Sequence, residues 1–67
     1  SRTLEYFDPV TKKAKWRTTF PGNLWFWQDL GDKGIHVEVE VGGTGGNILV
    51  YYLNKETGKI TSKHETP

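Results

Sequence analysis

The sequence predicts a mostly β fold: a small antiparallel meander of about five strands built from two hairpins, with at most one short helix around 23–30. Three observations predict it. Nearly the same phrase occurs twice, Tyr6-Phe7-Asp8-Pro9-Val10-Thr11-Lys12-Lys13 and Tyr52-Leu53-Asn54-Lys55-Glu56-Thr57-Gly58-Lys59, and each reads as strand, turn, strand. Residues 35–41 alternate apolar and polar without a break, the period of a half-buried strand. Pro21-Gly22 and the glycine run 42–46 then divide the chain into short segments.

The first hairpin spans Thr3 to Tyr6 and Lys13 to Phe20. Asp8-Pro9 opens its turn, because an Asp side chain can bond backbone two residues on and Pro presets φ. In its second strand Ala14, Trp16, Thr18 and Phe20 share one face; Lys13, Lys15, Arg17 and Thr19 share the other. After the Pro21-Gly22 break, Asn23 can cap a short helix through Leu30 that Gly31 would end. Ile35, Val37, Val39 and Val41 then face one side of a strand, with His36, Glu38 and Glu40 opposite. Gly42 to Gly46 provides a reversal. The strand Asn47 to Leu53 is apolar on both faces, the pattern of a strand covered on both sides, with Leu24 to Trp27 as the second cover. Asn54 and Gly58 supply the second turn. Lys59 to Lys63 reads as a short polar edge strand, and residues 64–67 as a frayed end. Two hairpins obeying the same turn chemistry explain the doubled phrase better than a duplication.

Size and composition bound the answer further. The 67 residues form one small domain, residues 1–67; a chain that opens on Ser1 and contains no Met reads as an excised or processed fragment, and no compartment is indicated. With no Cys and two His, neither disulfides nor a structural zinc site are expected, and no residues read as metal ligands or cofactor holders. Stability therefore rests on three Trp, three Tyr and three Phe. A net charge of +1 gives no whole-molecule attraction to nucleic acid or to anionic membrane. No apolar run is long enough for a membrane-spanning helix. The glycine run lacks a following Lys-Ser/Thr and opens no helix, so it is not a phosphate-binding loop.

Three sets of residues carry candidate chemistry. Lys12, Lys13, Lys15 and Arg17 form a basic stretch around Trp16. On one strand face alternate cations stand about 6–7 Å apart, which suits phosphate contacts with Trp16 as a stacking ring. Against that reading, the row can be a solvated face, or can pair across the sheet with Glu38 and Glu40. The second set is His36, Glu38 and Glu40, with Asp32 near in sequence. A histidine and a carboxylate two apart on a strand can move protons on and off a ribose hydroxyl and a leaving oxygen, with Lys33, Arg17 or His64 as the cation for the phosphorane. The third is the cluster Leu24 to Trp27: core material, or a flat platform at Trp25 or Trp27 for sugar, peptide or bases.

Val50-Tyr51-Tyr52 through Gly58-Lys59 to Ser62-Lys63 is similar to the strand-turn-strand of methyl-CpG-binding domains. Tyr6 through Arg17, running into Pro21, resembles the start of phage-integrase arm-binding domains. Gly31 to Pro67, a polar strand with His and then an Asn-x-x-Thr-Gly-Lys turn, resembles compact nuclease tails of bacterial toxins. These resemblances imply nucleic acid as a partner class and transfer no residue roles. The expectation is a small non-enzymatic module binding DNA or RNA through the basic hairpin. Its alternatives are a metal-independent ribonuclease or toxin-type nuclease using His36, Glu38 and Glu40, and a protein- or carbohydrate-binding module presenting Trp25 or Trp27. A protein partner or a second copy can also add at an open sheet edge.

Overall fold

A computed structural model describes residues 2–42 and 46–66. The fold is mostly β and antiparallel, as the sequence predicts, with six strands in two sheets. β1 (Thr3–Phe7) and β2 (Ala14–Thr19) form a separate two-stranded sheet. β3 (Asn23–Asp29), β4 (Ile35–Val41), β5 (Asn47–Leu53) and β6 (Ile60–Thr66) form a four-stranded sheet in chain order. A 3₁₀ turn, Gly31–Lys33, links β3 to β4.

The doubled phrase builds the same turn twice. The Asp8 carboxylate accepts from the N–H groups of Val10 and Thr11, and the Asn54 carbonyl oxygen accepts from those of Glu56 and Thr57. Thr11 and Thr57 hydroxyls accept from Lys13 and Lys59 N–H. Lys12 N–H donates to Asp8 C=O at 2.7 Å and Gly58 N–H to Asn54 C=O at 2.8 Å. Both turns need a left-handed residue at one position, filled by Lys12 (φ 59°) in the first and Gly58 (φ 75°) in the second.

Besides forming six strands in two sheets where one meander of about five is expected, the structure differs from expectation at three places. The segment around 23–30 is strand β3 and contains no helix. A two-turn helix is marginal because nucleation is costly. As a strand the same segment satisfies its backbone on the open edge of β4, pairing from Asn23↔Glu40 to Asp29↔Ile35. The second cover for β5 is therefore absent. The β1–β2 hairpin covers one face alone, and Trp16 and Phe20 pack with Ile35, Val37, Val39, Leu49, Tyr51 and Leu53. Finally, β6 runs to Thr66, which pairs with Ile48, so the expected fraying over 64–66 is not seen. Gly43, Thr44, Gly45 and Pro67 lie outside the described residues.

The hairpin is docked by more than apolar burial. Trp16 Nε1–H donates to Lys55 C=O at 2.7 Å and the Thr18 hydroxyl to Gly58 C=O at 2.6 Å. Lys15 pairs with Glu56, and the Phe20 ring meets Tyr51 with centroids 5.0 Å apart. A side chain at Gly58 would bring its Cβ within 2.5 Å of the Trp16 ring. The second turn is thus the seat on which β2 rests.

Candidate functional site

With one face of the four-stranded sheet occupied by the hairpin, the other carries the alternate residues. Register fixes which these are: Phe26 opposes Glu38, His36 opposes Gln28 and Tyr52, and Tyr52 opposes Ser62, two residues before His64. An aromatic line crosses all four strands. Phe26 meets His36 edge-on with centroids 5.9 Å apart, His36 meets Tyr52 at 5.1 Å, and Tyr52 meets His64 at 6.0 Å. Such edge and offset contacts suit ring quadrupoles.

Glu38, two residues from His36 on β4, closes the constellation. Its Oε2 lies 2.7 Å from His36 Nε2, and the side chains are 26% and 18% exposed. When the carboxylate is ionised it can only accept. In the neutral ring Nε2 then carries the proton and Nδ1 is the accepting nitrogen, a tautomer set by the Glu38 carboxylate. Glu40 shares the face, opposing Asn23 and Ile48, and is exposed. His64 is exposed on the far side of Tyr52. Val50, between Glu38 and His64 in register, is 7% exposed. Neighbouring side chains bury it, which explains a β5 apolar on both faces without a second covering layer.

The basic stretch has a different setting. β2 pairs only with β1, so Lys13, Lys15 and Arg17 do not lie beside Glu38 and Glu40. Arg17 pairs instead with Glu5 at 2.7 Å, and Lys15 with Glu56. Trp16 is 8% exposed, stacked on Tyr6 with centroids 5.8 Å apart, and is not open to a base. Lys12 and Lys13 are exposed at the hairpin tip and form no ion pair among the described residues. Lys33 and Asp32 line a cleft of about 510 Å³ beside the second turn, together with Asn54 and Thr61. Of the three cations weighed for the phosphorane, Lys33, Arg17 and His64, it is His64 that joins the aromatic line across the open face.

Ionic contacts gather where the hairpin meets the sheet. The Gly31 N–H and then Lys55 hold the Asp29 carboxyl below the ordinary range, and Lys15 does the same for Glu56. In return Glu56 raises Lys15 and Asp29 raises Lys55. Lys55 Nζ is 2.9 Å from Asp29 and 6.0 Å from the centre of the Tyr6 ring. This is a structural clamp.

Comparison with protein-family models, with curated proteins and with solved structures finds no match to this chain.

Trp25 and Trp27, the expected platform, are 63% and 53% exposed. They do not act together. Trp27 opposes Val37 on the hairpin side, lining a groove of about 320 Å³ with Leu4, Tyr6 and Phe7. Sequence reasoning singled out neither Phe26 nor Tyr52, and gave His64 only a supporting role. One signal could have found Tyr52 and His64: the Asn54 turn fixes the β5–β6 register, which carries His64 to the face of Tyr52 and His36.

Proposed function

We propose that this protein binds single-stranded RNA across the open face of the four-stranded sheet and cleaves it by general acid–base catalysis. One observation carries the reading: the Glu38-bonded His36 and His64 flank the same Tyr52 ring on one accessible face. Two imidazoles on either side of a scissile phosphate supply both proton transfers, each worth about 10²–10⁴-fold. In the proposed step His36 Nδ1 removes the 2′-hydroxyl proton while Glu38 holds the ring. The 2′-oxygen attacks phosphorus, and the P–O5′ bond breaks. Protonated His64 gives its proton to O5′, leaving a 2′,3′-cyclic phosphate and a 5′-hydroxyl. His64 in its charged form also faces the phosphorane's negative charge. Glu40 has no part in the step.

The test is incubation of a single-stranded RNA oligomer with the protein in EDTA, with analysis of the new ends. Cyclic phosphate ends are expected, with an RNA-only dependence, since an all-DNA strand lacks the nucleophile. His36→Ala and His64→Ala, checked for folding by circular dichroism, should each slow cleavage by about a hundredfold or more. Glu38→Gln should lower kcat with little change in KM, and Glu40→Gln should change neither. Intact RNA, or cleavage indifferent to both histidines, overturns the reading.

A second reading, binding without cleavage through the hairpin, is favoured by Lys12 and Lys13, which are exposed and form no ion pair among the described residues. It predicts affinity that falls with salt and with Lys12/Lys13→Ala.

A further inference from the structure

The bulge in β3 does something that strand alternation cannot. Leu24 opposes Val39 and takes the core side, so Trp25 points to the open face. Pairing then slips: Trp25 has no partner on β4, and the next opposed pair is Phe26↔Glu38. Phe26 therefore also takes the open face, where its ring meets His36. A regular strand would send these consecutive aromatics to opposite faces. The extra residue re-aims one of them, as bulges near sites do. Both are exposed, Trp25 by 63% and Phe26 by 43%, and neither belongs to the buried core.

We infer that Trp25 and Phe26 are a base-stacking subsite for the unpaired nucleotides that flank the scissile phosphate. This rests on the RNA reading of the same face. The Phe26 ring is 5.9 Å from His36, so a base stacked on it belongs to the nucleotide next to the phosphate at His36. Trp25, one position further out on the sheet edge, takes the base after that. Stacking tolerates every base and requires that bases be unpaired. The subsite therefore selects single strands over duplexes without selecting a sequence. Gln28, which opposes His36 from the same strand, is the polar neighbour from which any modest base preference would come.

The experiment uses an uncleavable probe, a fluorescently labelled 2′-O-methyl hexauridylate, with binding followed by anisotropy. Trp25→Ala and Phe26→Ala should each weaken binding about fivefold or more, and Trp25→Phe should restore most of the loss. Trp27→Ala, on the hairpin side, should leave affinity unchanged. A probe of the same length with abasic sites should bind more weakly to the wild type and be indifferent to Trp25→Ala and Phe26→Ala. That indifference separates stacking from a structural role. Wild-type affinity in both alanine variants, or equal losses with the abasic probe, overturns the subsite. Because the probe cannot react, an absence of RNA cleavage with intact Trp25 and Phe26 dependence would remove the catalytic step and leave the subsite standing.

Discussion

Lys12 and Gly58 occupy the same place in two copies of one turn, and the difference between them is testable. Both are left-handed, a conformation that costs a residue with a Cβ about 1–2 kcal/mol and glycine nothing. Part of that gain is lost because glycine also widens the unfolded ensemble. Lys12→Gly is therefore expected to stabilise the protein by about 0.5–1 kcal/mol, read as a higher urea midpoint at unchanged slope. Gly58→Ala has the opposite sign and a larger size. Its Cβ would enter the Trp16 ring as well as strain the turn, and a loss of about 2–4 kcal/mol is expected. Equal and opposite effects at the two sites would show that contact with Trp16 contributes nothing.

Between elements, Lys15–Glu56 ties the hairpin to the sheet and Lys55–Asp29 ties the β5–β6 turn to the end of β3, which makes stability depend on pH at both extremes. Asp29 and Glu56 titrate lower in the folded protein than in the unfolded chain. Their contribution is complete above the ordinary carboxylate range and is lost as pH falls through the depressed values. Lys15 and Lys55 titrate higher when folded, so their contribution is complete below the ordinary lysine value and is lost as pH rises through the raised ones. Urea midpoints measured against pH should give a plateau through neutrality with an acid and an alkaline limb. Asp29→Asn/Glu56→Gln should flatten the acid limb; an unchanged limb would assign it to other groups. Elements were legible in the sequence where their bonds are local. Both turns could be read because Asp8 and Asn54 satisfy backbone two and three residues away. β3 was not, since Leu24 to Trp27 suits strand or helix until the open edge of β4 decides. The slip at Trp25 is a matter of pairing phase, which no residue type announces. His64 reads from sequence as part of a fraying end with a supporting charge at most, because its place depends on the register of β5 with β6.

At the scale of the whole molecule, two sheets share one core. Phe20 of the hairpin connection packs on Tyr51, and Leu53, Val37 and Val39 are essentially without exposure. A domain of this length has about 3–10 kcal/mol of stability in all. Phe20→Ala, at about 3–5 kcal/mol, should leave it partly or wholly unfolded at 25 °C. Because neither sheet has a core of its own, the hairpin should not melt separately. Far-ultraviolet circular dichroism and tryptophan emission should trace one coincident transition, and two separated transitions would show that the layers are independent.

That emission has its own consequence. Each of the three indoles reports on a different environment: Trp16 on the core, Trp25 on the open face, Trp27 on the groove between the hairpin and β3. Variants retaining one indole each turn the protein into three position-specific optical reporters. A ligand on the sheet face should alter Trp25 emission alone, a groove occupant Trp27 alone, and only unfolding should shift Trp16.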